Sequence, residues 1–211
     1  MLVVFLGPPG SGKGTQARII NKNFGVPVIS IGDLLRETAK EKTERGLVLS
    51  SLLARGQFAP DEVVGPMVVE GIKRYEGKPF VILDGFPRTA NQAEMLREFE
   101  SQLAVIYFEL DPSYLADRIS FRYSCSDCGE IYNARSASAP KDGICSKCGS
   151  TKFDYRSDDN LETLIKRLKQ YNTQTVDLLR KYEALKILYK INAAQSVNEV
   201  TREIVDILTL R

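Results

Sequence analysis

Five short apolar runs punctuate the chain, at residues 2–6, 26–30, 80–83, 105–110 and 187–191. Each is too short for a core helix and is bounded by turn or cap residues, so each reads as a strand. Between them, apolar residues recur with a helical period over 13–23, 61–75, 90–99, 112–120, 160–182 and 197–209. Several strands are apolar at nearly every position, which predicts a parallel sheet with helices on both faces. A ligand is then expected beyond the carboxyl ends of the strands. Two regions break the alternation. Between residues 32 and 71, two or three helical patterns follow one another with no strand between them, the mark of a small helical insertion. Residues 122–158 lack apolar periodicity, are rich in Ser, Gly and Ala, and hold all four cysteines.

Composition narrows the class. With 211 residues, 43% of them hydrophobic, the chain has material for one ordinary globular domain with small insertions. The balance of 29 basic against 27 acidic residues leaves a formal charge of +2, too little to hold nucleic acid by bulk electrostatics. No run approaches the roughly 18 apolar residues of a membrane span, and no basic segment leads into a signal-like apolar stretch. A cytoplasmic protein that binds neither membrane nor nucleic acid is expected. The chain has no histidine. The usual general base is therefore missing, and cysteine and carboxylate remain as the strong metal ligands.

The first strand runs into GPPGSGKGT, residues 7–15. Gly7, Gly12 and Lys13 fit the G-x-x-x-x-G-K pattern, set after a strand and before a helix as that pattern requires. Glycines let the backbone wrap phosphate oxygens with its N–H groups, and the helix amino terminus and Lys13 add positive charge. A plain glycine-rich turn is the alternative, and it leaves the lysine and the spacing unexplained. Gly14 stands at the usual Ser/Thr position, with the hydroxyl one residue later at Thr15.

The four cysteines form two C-x-x-C pairs, Cys125 with Cys128 and Cys145 with Cys148, separated by sixteen residues. That is zinc-ribbon spacing, each pair placing two thiolates on one knuckle. With four protein ligands the Zn²⁺ would be structural, standing in for a core that so short a segment cannot build. Two disulfides are the alternative, at odds with a cytoplasmic setting. Iron in the same four-sulfur site stays open. A zinc ribbon also raises another class, an ATPase fused to a nucleic-acid-binding module. Such a module needs a basic, aromatic surface, whereas residues 123–155 offer Arg135, Lys141, Lys147 and Lys152 against several acids.

Taken with "ISIGDLLR" from residue 29, "LDGFPR" at 83–88 followed by Gln92, "YRSDD" at 155–159 and "IKRL" at 165–168, the glycine-rich stretch resembles the adenylate kinases and their nucleoside monophosphate kinase relatives. The resemblance covers nearly the whole chain, in order and at compatible spacings, and points to the long form with a metal-bearing lid. It implies an α/β P-loop NTPase fold with a five-stranded parallel sheet flanked by helices. The single kinase domain would have a core of 1–29, 60–121 and 158–211, a helical monophosphate-binding insertion at 30–59, and a zinc-ribbon-like lid at 122–157.

The reaction implied is Mg²⁺-dependent transfer of the terminal phosphoryl group of ATP to AMP, giving two ADP, by a monomer. UMP or CMP as acceptor is the alternative within the family. A third class, a regulatory nucleotide-binding protein, would lack the acceptor arginines. By resemblance Lys13, Arg122, Arg156 and Arg167 cluster around the transferring group, Arg36 and the catalytic Arg88 hold the acceptor phosphate, and Asp84 orients Mg²⁺ through water, with Asp33 a second contributor. ATP would meet Gly10, Ser11, Gly12, Lys13, Gly14, Thr15, Arg118, Arg122, Ile131, Tyr132 and Gln195. AMP would meet Ile31, Arg36, Gln57, Phe58, Ala59, Gly85, Phe86, Pro87, Arg88, Gln92, Arg156 and Arg167. Asp158 and Asp159 resemble residues that steady the arginines and the lid. Ile31 stands where the family usually has threonine, Ala59 where valine is commoner, and Asn133 where histidine is frequent. This chemistry suits a chain without histidine, because an acceptor phosphate is already ionised and needs charge neutralisation, positioning and dryness rather than a base. Planar guanidinium groups supply bidentate phosphate contacts that lysine cannot.

Overall fold

The computed structural model describes residues 1–135, 139–140, 142–155 and 159–209. Five parallel strands form the central sheet: β1 (Leu2–Leu6), β2 (Val28–Ser30), β3 (Val81–Asp84), β4 (Leu103–Glu109) and a last strand, Leu188–Asn192, in the spatial order β2-β3-β1-β4 and then that last strand. The chain visits the β2 and β3 side of β1 first and then crosses to the β4 side. A crevice therefore opens at the carboxyl ends of β1 and β3, where the winding reverses. Register brings Phe5 opposite Asp84 and Ser30 opposite Asp84, so the ends of three strands meet there.

Side-chain alternation explains why these runs are apolar throughout. Leu2, Val4 and Leu6 of β1 pack with Val81, Leu83, Leu103 and Val105 on one face. Val3 and Phe5 pack with Ile82, Ile106 and Phe108 on the other. Helices cover both faces: α1 (Lys13–Phe24), α4 (Asp61–Lys73), α5 (Ala90–Phe99), and the carboxyl-terminal helices described below. Among the described residues no helix is long and apolar enough to cross a membrane.

The insertion without a strand contributes α2 (Ile31–Ala39) and α3 (Glu44–Ala54) before α4. Its turn is tight: a Cβ on Gly46 would fall 2.2 Å from the Glu41 carbonyl oxygen, so only glycine lets α3 start so close to the end of α2.

The cysteine segment folds as a separate antiparallel sheet of β5 (Arg122–Cys125), β6 (Ile131–Asn133) and β7 (Phe153–Asp154), in the order β6-β5-β7. It follows a 3-10 turn at Pro112–Tyr114, which Asp111 caps, and α6 (Leu115–Ser120).

The helical pattern over 160–182 proves to be two helices, α7 (Leu161–Gln174) and α8 (Val176–Ala184), and so corrects the expectation of one. Thr175 interrupts them, buried, with its hydroxyl donating to the Arg88 carbonyl at 2.9 Å. A tertiary hydrogen bond thus overrides a continuous amphipathic pattern. β8 (Leu188–Asn192) and α9 (Val197–Thr209) complete the fold.

Candidate functional site

β1 ends at Leu6, and the chain turns through residues 7–12 into α1. Gly12 precedes the helix at φ 97°, a left-handed conformation open to glycine, and no side chain caps the helix amino terminus. The first-turn N–H groups of α1 are therefore left for an anion. Lys13 folds back over its own loop, donating to the carbonyl oxygens of Gly7 and Pro8, each at 2.8 Å, and to Ser11 Oγ at 3.1 Å. Burial pulls its amine from 10.5 down to about 7; Asp84 opposes the shift, and Arg88, Arg167 and Arg122 reinforce it. An ammonium held this way lacks a full countercharge, which a polyphosphate would provide.

Asp84 closes β3 beside this loop. Burial raises its carboxyl above the ordinary range, against the pull of Lys13, Arg88 and Arg36. A Cβ on Gly14 would stand 3.2 Å from Asp84 Oδ2. Glycine at the usual hydroxyl position thus lets the carboxylate lie against the start of α1.

These groups open onto one cleft of about 600 Å³, the size of a nucleotide-class site. Its wall contains Arg18, Arg36, Arg88, Arg118, Arg122, Arg135, Arg167 and Lys13, against Asp33 and Asp84 as its acids. Such an excess of cations in a concave, partly desolvated space selects a polyanion. Several of these arginines are held by defined partners. Arg88 donates from Nε to the Gly85 carbonyl at 2.7 Å, and its guanidinium lies 4.9 Å from the Phe58 ring centre. Arg122 makes a fork with Asp159, at 2.6 and 2.5 Å, with the carboxylate only 3% exposed. Arg118 donates to the Ala193 carbonyl at 3.0 Å, and Arg36 pairs with Asp33 one helical turn away.

Most residues expected at the two nucleotides reach this wall: residues 10–15, Arg118, Arg122, Ile131, Tyr132 and Gln195 of the donor set, and Arg36, Gln57, Phe58, Ala59, Gly85, Pro87, Arg88 and Arg167 of the acceptor set. Three do not. Ile31 and Phe86 are buried in the apolar core under the sheet. Gln92 is buried, its carbonyl accepting from the Arg88 N–H at 2.8 Å and its amide donating to Asp61 at 2.6 Å, so it braces Arg88 instead of facing the cleft. Arg156 and Asp158 lie outside the described residues. Asn133 ties β6 to α6, donating to the Asp117 carbonyl at 2.9 Å. Sequence reasoning missed Arg18 and Arg135 in the wall. Arg135 packs 3.7 Å above the Phe121 ring and pairs with Asp117. Neither arginine sits in a motif that could have revealed it.

The four Cys sulfurs lie within 4.8 Å of one another, with Cys125 to Cys148 at 3.5 Å and Cys128 to Cys145 at 3.6 Å. These separations exceed a disulfide bond and suit the edges of a tetrahedron around a metal with sulfur ligands at ~2.3 Å. The donor set fits such an ion for a further reason. Backbone N–H groups of Asp127 and Cys128 point at the Cys125 sulfur, and those of Lys147 and Cys148 at the Cys145 sulfur. The N–H groups of Glu130 and Ser150 do the same for Cys128 and Cys148. Two knuckles repeat one pattern, each stabilising thiolates. A small aromatic cluster supplements them: the Tyr123 and Tyr132 rings stack 5.6 Å apart and Phe153 packs edge-on.

A glycine-lined turn at a helix amino terminus, facing a cationic crevice at the switch point of a parallel sheet, defines a P-loop protein of the phosphoryl-transfer class. Comparison with known proteins agrees. The family model described as Adenylate kinase matches residues 5–187. Proteins named adenylate kinase from Rickettsia rickettsii (strain Sheila Smith) and Rickettsia africae (strain ESF-5) are 37% and 38% identical over 211 residues, spanning the full length of both chains. One from Rickettsia akari (strain Hartford) is 35% identical over the same span. The chain belongs to the adenylate kinase family and is a phosphotransferase.

Proposed function

We propose that the chain catalyses ATP + AMP ⇌ 2 ADP with Mg²⁺, and that the insertion at 30–59 and the cysteine segment at 122–157 act as its acceptor clamp and donor lid. The observation that carries this reading is one continuous cleft. The phosphate loop, Arg36, Arg88, Arg122 and Arg167 all belong to its wall, and Arg88, Arg167 and Arg122 lie close enough to Lys13 to depress its amine.

In this scheme residues 10–15 hold the donor phosphates through backbone N–H groups, and Lys13 exchanges its carbonyl partners for phosphate oxygen. Arg36 and Arg88 hold the acceptor phosphate, Arg88 being kept in place by Gln92, Gly85 and Phe58. Arg122, Arg156 and Arg167 neutralise charge spreading over the transferring group, which is most of what this reaction needs from a protein. Mg²⁺ arrives with ATP and neutralises its phosphates, and Asp84, with Asp33, offers the hard oxygen ligands it prefers. Closure of the two mobile segments excludes water, so that ATP is spent on AMP and not hydrolysed. The adenine of ATP lies by Arg118, Ile131, Tyr132 and Gln195.

With Ile31 in the core and Gln92 engaged by Asp61, acceptor-base selection falls to the shape and backbone of residues 57–59. The four cysteines hold a structural Zn²⁺ that keeps the lid folded, and the protein works as a cytoplasmic monomer. A coupled assay for diphosphate formation, offering AMP, UMP, CMP, GMP and dTMP in turn with ATP and Mg²⁺, tests the reading. Preference for AMP supports it, preference for a pyrimidine monophosphate moves the chain within the family, and no transfer to any of them overturns it.

A further inference from the structure

Arg18 lies on the second turn of α1, outside every motif in the sequence, and its side chain reaches from the nucleotide-binding core to the cysteine segment. Its Nε donates to the Gly14 carbonyl at 3.2 Å, in the first turn after the phosphate loop. Its Nη1 donates to the carbonyl of Gly129, the residue that follows the first Cys-x-x-Cys pair. The direction of that carbonyl is set by the knuckle, since Gly129 has φ 70° and returns its N–H to the Cys125 carbonyl at 2.9 Å. Three carboxylates act on the guanidinium: Asp84 from the end of β3, Asp33 from α2 of the insertion and Glu130 from the knuckle, where it is also bonded to Lys147 at 2.7 Å. Arg122 opposes them.

We infer that Arg18 is a positioning residue that clamps the metal knuckle of the lid onto the phosphate-loop helix, coupling the integrity of the four-cysteine site to the grip on the donor nucleotide. This deepens the adenylate kinase reading and rests on it for the donor's identity. A planar fork carries donors on separate nitrogens and can serve two carbonyls on two elements at once; a lysine gathers its donors on one nitrogen and cannot span the same gap, and methionine has none. Because its two hydrogen bonds fall on the phosphate-loop helix and the knuckle, the clamp's loss is expected to act on ATP before AMP.

The test compares Arg18→Met and Arg18→Lys with the parent chain, each purified with its metal and checked for an unchanged melting temperature. Two readouts are taken: KM for each substrate, and amide hydrogen exchange over residues 122–133 with a bisubstrate analogue bound, two adenosines joined through a polyphosphate. In Arg18→Met, KM for ATP should rise about tenfold, as expected for loss of a charge-assisted hydrogen bond, while KM for AMP and kcat stay within about twofold. Exchange across the knuckle should quicken in parallel, and Arg18→Lys should recover part of both. Stripping the metal with a chelator should speed knuckle exchange in the parent and add less in Arg18→Met, because the two changes break one link. Equal rises in both KM values, unchanged exchange, or fully additive effects of chelation and substitution would overturn the clamp. Failure of the parent to make ADP from AMP would sink the functional reading, while the exchange comparison would still decide the clamp.

Discussion

Strand β1 is buried along all five of its residues, whereas β5, the longest strand of the cysteine sheet, alternates between buried and half-buried positions. The difference follows from what covers each sheet. Helices close both faces of the central sheet over two apolar layers rich in Val, Ile, Leu and Phe. Among the described residues the small sheet packs Tyr123, Tyr132 and Phe153 around its cysteines, with the exposed Tyr155 stacked on Tyr123. Burial of this kind scales with size, so a segment of a few dozen residues cannot order itself by apolar contacts alone. Where that apolar area is missing, four cysteine sulfurs converge within 4.8 Å of one another.

The sharpest separation of chemistry from fold is expected at Lys13. Lys13→Met should lower kcat by about 10²–10³-fold, the range for removing one preorganised charge donor, with little change in denaturant midpoint. Steady-state kinetics beside a urea melt checks this, and a large loss of stability would tie Lys13 to folding instead.

Next in size is a test of the core. Phe5, wholly buried and 5.0 Å from the Phe108 ring centre, should cost about 3–5 kcal/mol of global stability as Phe5→Ala. By contrast Cys128→Ser, or chelation, should leave the main unfolding transition nearly in place while making residues 122–157 sensitive to protease. A core that melts together with the cysteine segment would erase the distinction between the two regions.

The smallest effect is a proton count. Lys13, pulled from 10.5 to about 7 by burial, is mostly neutral in the free protein above neutrality. Its contribution to stability is therefore complete above pH 10.5 and is lost as pH falls through about 7, the depressed-pKa case. Bound polyphosphate restores the charge, so at a pH of about 8.5 nucleotide binding should take up a fraction of a proton. Calorimetry in buffers of different ionisation enthalpy measures that uptake, and Lys13→Met should abolish it.

Local patterns revealed much of this molecule. The strand cores, the phosphate loop and the paired cysteines each concentrate their signal in a few adjacent residues, where spacing alone carries the chemistry. What escaped depends on partners distant in the chain. Ile31 and Phe86 stand inside recognisable motifs yet belong to the core, because the backbone near a ligand also has to be anchored beneath it. Gln92 spends its hydrogen bonds on Arg88 and Asp61. The 160–182 pattern is helical on both sides of Thr175, and nothing local marks the hydroxyl that bonds Arg88 from 87 positions away.

By itself the order of residues determined that a parallel sheet would form, where its glycine-rich turn would lie, and that four thiolates would converge, because periodicity and short spacings act through neighbouring residues. Which arginines share a wall, which carboxylate, carbonyl or ring holds them, and that Arg18 bridges the core and the knuckle were decided only by folding. Those contacts join segments separated by up to 111 residues, whose directions depend on the sheet order and on how the helices pack.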